Sequence, residues 1–502
     1  MQESRRSGRA LVPVLVWCGI VVSLMQTITV PLLPHFPRLL DTSAGNASWV
    51  ITITLLASAV CTPMAGRLGD LYGRRLMLLV SLGVLVSGSV VCALSTTVAP
   101  MVIGRGLQGS AMGVVPLAMA VLREGVPAER LGSTVGLMSA TGGVGGAVGL
   151  PIAALVVQEA DYHFLFWGAA GLGTLCFALV LVCVPPSRSR AAGRFDVWGA
   201  LGLATGLPLL LIAVGKGAQW GWAGPRTLGA AGAGVLVLLV WWRVELRSPS
   251  PLVNLRTAAS PRILATNVAT LVIGFALYAQ NLVFPQVMQL PTSTGYGLGV
   301  PLVISALYLA PPGLAMMIAV SGATRLSRAH GPKTSLLVGM LVLGVAYGVA
   351  PSMLGSPWHI LTISLFTAAG IGLAFAALPA LIISSVPARD TGAATGLNAL
   401  MRSVGMTISA AVIGTVLAHD PQLLDGAPVP TGGAFTTALH IGLFASVAGV
   451  VLTALIPRVK DGAGAKDGAG ANDVGGAVVV VPRDRCPDAP GVRDAKPGPV
   501  GP

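Results

Sequence analysis

The residues of this chain that could do chemistry stand at the edges of long apolar runs. From Gly66 to Arg75 the chain reads Gly-Arg-Leu-Gly-Asp-Leu-Tyr-Gly-Arg-Arg, with Asp70 as its only acid. Glycine permits tight turns and close helix approach. A carboxylate among arginines can form an ion pair or sit at the N-terminus of a neighbouring helix. Because apolar runs flank this stretch, we interpret it as a short loop between two membrane spans. From its residues alone, an ordinary positively charged cytoplasmic loop and a loop whose charges bind neighbouring helices are both open interpretations.

A second charged position lies inside the fourth apolar run, where Arg105 precedes Gln108 by three residues. A charge within a membrane helix is costly and usually faces a wet interior or a polar partner. Arg105 stands only about one turn into the run, so its long side chain can also snorkel to the membrane edge. A functional buried charge and a snorkelling charge are therefore both open interpretations.

The other polar residues do not form the pattern of an enzyme. The chain has no paired carboxylates, nucleotide-binding loop or catalytic triad, and no cluster with metal-ligand spacing. Five of the six cysteines lie in apolar runs and Cys486 lies near the C-terminus, which is not a disulfide framework. We therefore expect no enzymatic activity, no metal and no cofactor.

Composition identifies the elements that must position these residues. Of 502 residues, 54% are hydrophobic and 10% are charged, whereas soluble domains are roughly 25% charged. The net charge of +13 is concentrated in short connections between apolar runs, which is typical of membrane topology and not of nucleic-acid binding. The sequence therefore predicts an all-α polytopic membrane protein without a nucleic-acid partner.

Fourteen apolar runs approach the length of about 20 residues that a membrane-spanning helix needs. In chain order the predicted spans are 11–33, 47–65, 76–95, 100–122, 134–157, 163–184, 197–214, 227–245, 263–287, 298–320, 335–352, 358–383, 395–417 and 436–457. Arginine and lysine concentrate in the connections after even-numbered spans, and the positive-inside rule then places both termini in the cytoplasm.

An internal repeat divides these spans. Segment 126–137 is similar to segment 386–397, and Gly145 then aligns with Gly405 without a gap. Spans 1–6 and 9–14 are expected to be two related six-helix halves, with spans 7 and 8 inserted, as in alternating-access transporters. The predicted divisions are a cytoplasmic N-terminus, an N-terminal bundle, an insert, a C-terminal bundle and a disordered low-complexity tail. They cover 1–10, 11–184, 185–262, 263–457 and 458–502.

Three stretches resemble sequence motifs of the major facilitator superfamily. The stretch after span 2 is similar to motif A and implies a conformational latch. Arg-x-x-Gln-Gly in span 4 is similar to motif B and implies a role in proton transfer. The glycines of span 5 are similar to motif C, the helix-packing signature of antiporters, although Leu150 replaces its usual proline. In that order the residues are Gly66, Asp70, Gly73, Arg74 and Arg75; Arg105 and Gln108; and Gly136, Gly145, Gly149 and Pro151.

Further patterns resemble the fourteen-helix drug:proton antiporter branch of that superfamily. They are 195–199 and 216–222 in the insert and Asn398-x-x-x-Arg402 in span 13. The resemblance implies drug export in exchange for protons. In span 1, however, where that branch usually carries Leu-Asp-x-Thr, this chain reads Leu24-Met25-Gln26-Thr27, so Met25 takes the place of the aspartate, and no acid lies in the middle of any span. We therefore expect the coupling group near the outer rim, with Glu159 and Asp161 as candidates.

Polar residues inside apolar spans predict the substrate path. Such groups need internal partners, so cavity lining and interhelical hydrogen bonding are both open for them. The candidates are Gln26 and Thr27 in span 1, Asn267, Tyr278 and Asn281 in span 9, and Asn398 and Arg402 in span 13. A cavity with so few charges favours a bulky hydrophobic or amphipathic substrate.

Together these features predict a multi-pass exporter of hydrophobic or amphipathic drugs in the bacterial inner membrane. The expected partners are a small-molecule substrate, protons and the lipid bilayer, and we expect a monomer. One alternative is a facilitator or metabolite exporter of the same fold that is not coupled to protons. A second alternative is a membrane sensor on that fold.

Overall fold

Among the residues that the structure describes, fourteen helices are long and apolar enough to cross a membrane, which confirms the predicted number of spans. A computed structural model describes residues 2–29, 32, 36–42, 44–47, 49–186, 193–248, 251–253, 255–386, 391–419, 421–424 and 427–455. The predicted tail, 458–502, lies outside these residues. The helices are α1 (Gln2–Thr27), α2 (Trp49–Tyr72), α3 (Arg74–Ala93), α4 (Val98–Gly125), α5 (Ala128–Glu159), α6 (His163–Cys183), α7 (Val197–Trp220), α8 (Pro225–Arg247), α9 (Pro261–Gln289), α10 (Leu302–His330), α11 (Pro332–Val349), α12 (Pro357–Ile383), α13 (Thr391–His419) and α14 (Gly432–Leu455).

Two spans are interrupted, and shorter elements connect the others. A 3-10 turn at Ala111–Gly113 interrupts α4, and α10 consists of Leu302–Tyr308 followed by Pro311–His330. An antiparallel hairpin between α13 and α14, with Pro421 opposite Pro430, was not predicted. The short elements are helices Phe36–Leu39, Ala44–Ala47 and Leu255–Ala258, 3-10 turns Thr292–Thr294 and Ala350–Met353, and strands β1 (Pro421–Leu424) and β2 (Ala427–Pro430).

The stretch interpreted as a loop between spans 2 and 3 is helical, so that prediction was wrong. Helix α2 continues to Tyr72, and Gly73 alone separates it from Arg74, where α3 begins. Gly73 has a backbone φ of 112°, a conformation that residues other than glycine rarely adopt. Asp70 stays inside the helix, where Arg74 and the Ala393 amide satisfy its carboxylate.

The two predicted halves share their helix contacts. In the first half, a Cβ added at Gly88 of α3 would lie 2.7 Å from the Gly104 carbonyl oxygen of α4. In the second half, a Cβ at Gly339 of α11 would lie 2.7 Å from the Gly370 oxygen of α12. Such close backbone contact requires small residues. The recurrence of the contact supports the internal repeat.

Helices α7 and α8 form the insert and lie outside the two halves. The side chain of Asp196 caps α7 by accepting a hydrogen bond from the Gly199 amide at 2.7 Å. Apolar residues of α7, including Leu203 and Leu207, share a buried cluster with Leu56 of α2 and Leu400 of α13. Only 11% of the most apolar stretch of α8 is buried inside the protein, as expected for a helix that faces lipid.

Candidate functional site

A cavity of about 310 Å³ lies between the two halves. Its walls come from α1, α2, α4 and α5 on one side and from α9, α10, α12 and α13 on the other. These two sets are the first, second, fourth and fifth helices of each half, so the two halves contribute equivalent helices to the cavity wall. No residue of the α7–α8 insert lines the cavity among those that the structure describes.

Six of the seven predicted substrate-path residues line this cavity. They are Gln26, Thr27, Tyr278, Asn281, Asn398 and Arg402. Asn267 does not line it, because it is buried between α9 and α13. There its side-chain oxygen accepts a hydrogen bond from Asn398 Nδ2 at 3.1 Å. Helical spacing put Asn267 and Tyr278 on one face of α9, but that face packs against α13 near Asn267 and opens to the cavity near Tyr278.

Apolar side chains supply most of the remaining lining. Among them are the methionines Met112, Met119, Met138, Met316 and Met406. Methionine side chains are flexible and polarizable, so they adapt to ligands of different shape. Sequence reasoning missed this cluster, because its members lie on four different helices.

Arg105 is buried and does not snorkel, with 1% of its surface exposed. Its Nη1 donates to the Met25 carbonyl oxygen of α1 at 3.0 Å and to Gln108 Oε1 at 2.6 Å. Its Nε donates to the Val50 oxygen of α2 at 3.4 Å. Gln108 in turn donates to Ser89 Oγ of α3 at 2.8 Å. One guanidinium and one amide thus join four helices at the cavity wall.

Asp70 lies at the end of α2 and is 1% exposed. Its Oδ1 accepts hydrogen bonds from Arg74 Nε at 3.2 Å and Nη2 at 3.0 Å. Its Oδ2 accepts from the Ala393 amide at 3.1 Å, in the first turn of α13. The sequence left two interactions open for Asp70, an ion pair with an arginine and a place at the N-terminus of a neighbouring helix, and the structure contains both. A carboxylate at this helix N-terminus is also favoured by the helix dipole.

The residues around Asp70 differ in their contacts. Arg74 also forms an ion pair with Glu124 of α4 at 2.7 Å, a partner that sequence reasoning missed. Arg75 instead donates to the Leu181 carbonyl oxygen of α6 at 2.6 Å. Gly66 is a buried residue within α2. Glu124 stands about five helical turns beyond Arg105 in α4, so only the fold shows that it meets Arg74.

The glycines of α5 pack against two helices. A Cβ added at Gly145 would lie 2.6 Å from Ser23 Cβ of α1, and one at Gly149 would lie 2.2 Å from Thr27 Oγ1. A Cβ at Gly136 would lie 3.1 Å from Val320 Cγ1 of α10, in the other half. Pro151 lies inside α5, which continues unbroken to Glu159. Small residues thus let α5 touch both halves.

The predicted coupling acids lie away from the cavity. Glu159 and Asp161 are both exposed, at the end of α5 and just beyond it, and neither lines the cavity. Asp161 Oδ1 lies within hydrogen-bonding distance of Nδ1 of the His163 ring. A hydrogen bond from the His163 backbone amide holds the pKa of the Asp161 carboxyl below its ordinary value. Within the described ranges, no group of three or more potential ligands could hold a metal ion.

Comparison with known proteins gives a consistent result. A sequence model described as Major Facilitator Superfamily matches residues 15–410. Multidrug resistance protein Stp of Mycobacterium tuberculosis is 29% identical over 79% of this chain and 75% of its own length. The tetracenomycin C resistance and export protein of Streptomyces glaucescens is 29% identical over 79% of this chain and 74% of its own length.

The fold also resembles a solved structure. The crystal structure of the human organic anion transporter MFSD10 (TETRAN) aligns with a TM-score of 0.62, covering 90% of this chain and 99% of that one. Sequence identity in that alignment is 16%, so the likeness concerns the fold alone.

Proposed function

The chain belongs to the Major Facilitator Superfamily, and from this premise we propose that it exports hydrophobic or amphipathic drugs by alternating access. It is a multi-pass membrane transporter and not an enzyme. The proposal concerns the cargo and the direction of transport. We place it in the bacterial inner membrane with both termini in the cytoplasm, as the positive-inside rule predicts.

The observation that carries this proposal is the cavity between the halves. It is lined by the same four helices from each half and mostly by apolar side chains, as expected for a site that binds a bulky amphipathic molecule. The names of the relatives, which refer to multidrug resistance and to antibiotic export, support the same class of cargo.

Hydrogen bonds join the two halves at the end of the bundle that carries Asp70. Besides the Asp70–Ala393 bond, Arg123 Nη2 of α4 donates to the Val386 carbonyl oxygen at 3.2 Å. Arg328 Nη2 of α10 donates to the backbone carbonyl oxygen of Glu129 in α5 at 3.4 Å, and the Glu129 side chain takes no part in this bond. In the proposed cycle these bonds hold this end shut while the cavity releases its cargo at the other end, and they break when cargo enters.

Proton exchange is part of the proposal. The antiporter-type glycine packing of α5 and the latch at Asp70 support it. Glu159 and Asp161 stay the first candidates for the coupling group, and water reaches both of them. Arg105 is proposed to link protonation to the cavity, because its hydrogen bonds connect α1, α2 and Gln108.

One observation favours a second candidate, a carrier that is not coupled to protons. Among the described residues that line the cavity, none is an aspartate or glutamate. A proton-coupled carrier needs a titratable group that is exposed alternately to the two sides of the membrane. If no carboxylate near the cavity performs that role, the cargo moves down its own gradient.

Growth of a drug-sensitive bacterium tests the proposed cargo. Cells that carry the gene are compared with cells that carry the empty vector on ethidium, novobiocin and fusidate. We expect a raised inhibitory concentration for at least one compound, together with lower drug accumulation in the cells. Unchanged inhibitory concentrations across the panel, with the protein present in the membrane, would count against a drug exporter.

A further inference from the structure

The ionised side chains in the cavity are of one sign. Arg105 and Arg402 line it, and the described lining contains no acid. The Arg105 guanidinium is engaged by Met25, Val50 and Gln108. Arg402 therefore carries the positive charge that is available to a ligand.

Arg402 reaches the cavity from α13, where its backbone is held close to α9. A Cβ added at Gly274 would lie 2.4 Å from the Arg402 carbonyl oxygen. The Arg402 guanidinium carbon lies 5.6 Å from the ring centre of Phe375 on α12, a cation–π contact. Among the described contacts, Arg402 has no hydrogen-bond acceptor and no acid partner. A charge removed from bulk water without such a partner is costly.

Two further donors lie on the facing helix. Tyr278 and Asn281 of α9 line the same cavity, and no hydrogen bond of either side chain is described. The nearby Asn398 amide is already engaged, since it donates to Asn267 and to Thr270. The C-terminal half thus presents a fixed guanidinium, a phenol and an amide to whatever enters.

We propose that the preferred cargo is an amphipathic anion whose acidic oxygen binds Arg402. The inference rests on the proposed export function and specifies its substrate class. A planar guanidinium donates two parallel hydrogen bonds to a carboxylate. The Phe375 ring and the methionines contact the apolar body of the cargo. A lipophilic cation meets two guanidiniums and, among the described lining residues, no carboxylate, so it binds more weakly than an anion of the same size.

Binding to the purified full-length protein tests this inference. The probes are fusidate, a steroid carboxylate, and its methyl ester, which keeps the apolar body and loses the charge. For Arg402→Gln we expect fusidate binding to weaken by about 10- to 100-fold, the range for a hydrogen bond to a charged group, and ester binding to stay unchanged. Arg402→Lys keeps the charge and should retain part of the preference.

Two further variants complete the test. Arg226→Gln removes an exposed arginine at the start of α8, outside the cavity, and should bind both probes as the parent does. Asn281→Asp adds a negative charge to the cavity wall, so fusidate binding should fall while ester binding persists. Equal losses for acid and ester in Arg402→Gln, or an unchanged preference, would overturn the inference.

The proposed function and this inference fail differently. If the gene protects against ethidium, and the purified protein binds ethidium more tightly than fusidate, the chain is an exporter and the anion inference is wrong. If the gene gives no protection against any compound, the export function itself is wrong. Protection against fusidate that Arg402→Gln abolishes supports both.

Discussion

Two buried ionic residues of the N-terminal half are satisfied in different ways. Asp70 receives its hydrogen bonds from Arg74 and from the first turn of α13, so its charge contributes to a contact between halves. Arg105 donates to backbone carbonyl oxygens and to Gln108 within its own half. In the proposed cycle Asp70 therefore belongs to the end of the bundle that opens, whereas Arg105 belongs to the wall of the cavity.

Replacing Asp70 by asparagine should abolish export and leave the protein in the membrane. Asparagine has the same size but no charge, so Arg74 and the α13 N-terminus lose their common partner. Breaking one member of a buried ion pair typically costs about 3–5 kcal/mol, which shifts the closed end toward opening. Resistance and membrane abundance would be measured for Asp70→Asn and for Glu129→Gln, an exposed acid at the same end. Normal resistance in Asp70→Asn would reduce this stretch to a topology signal.

The lysine variant of Arg105 should be nearly as harmful as the alanine variant. The guanidinium serves α1, α2 and Gln108 with two different nitrogens. A lysine ammonium is a single point and cannot reproduce that fork. Transport by Arg105→Lys, Arg105→Ala and Arg226→Gln would be compared at equal protein levels. Normal transport by the lysine variant alone would show that only the charge matters.

At the scale of elements, glycines set how closely the helices of each half approach. Gly145 of α5 faces α1, and Gly405 of α13 faces α9, where an added Cβ would lie 2.0 Å from the Leu271 carbonyl oxygen. The sequence alignment of these two glycines is therefore matched by equivalent packing. Other glycines of α5 and α13 contact the opposite half, since Gly136 faces Val320 of α10 and Gly396 faces Pro63 of α2.

Replacing Gly145 by valine should destabilise the N-terminal half. An added Cβ would lie 2.6 Å from Ser23 Cβ and 2.7 Å from the Leu24 backbone nitrogen, so α1 and α5 must separate. Overpacking of this kind typically costs about 1–3 kcal/mol. The melting temperature in detergent should fall for Gly145→Val and hold for Gly171→Ala, because nothing lies within 4 Å of the Gly171 position. Equal melting temperatures would contradict the close-packing account.

Much of the fold could be predicted from the sequence. Each membrane-spanning helix forms its backbone hydrogen bonds internally, and the length of its apolar run can be counted in the sequence. Local patterns also identified Asp70 and its two kinds of partner. The helical nature of the stretch before Gly73 was missed because charged residues between apolar runs usually mark loops, whereas here Arg74 and the distant Ala393 amide bind the Asp70 carboxylate. The methionine cluster and Glu124 were missed for the same reason, since their contacts join residues far apart in the chain.

At the scale of the whole molecule, the cavity and the latch lie on the contact between halves. The insert packs along α2 and α13, next to the contact between the two halves, which rearranges in the proposed transport cycle. An alternating-access carrier requires its two halves to rock about the cargo site. On this account α7 moves with one half and exchanges contacts with the other.

Cysteine labelling would test the proposed orientation. With a membrane-impermeant maleimide, we expect Thr96→Cys and Ser352→Cys to react in intact cells, because both exposed positions precede even-numbered spans. Ala329→Cys, exposed at the end of α10, should react only after permeabilisation. The parent protein controls for its native cysteines. Labelling of Ala329→Cys in intact cells would reverse the orientation.

The most direct test of proton-driven export is drug accumulation in everted membrane vesicles. Respiration makes the lumen acidic and positive, and the initial rate is measured for the compound against which the gene protects best. We predict that collapsing the pH gradient with nigericin stops accumulation, and that Glu159→Gln combined with Asp161→Asn removes this dependence. Transport that continues at the same rate after both the pH gradient and the membrane potential are collapsed would contradict the account and identify a facilitator.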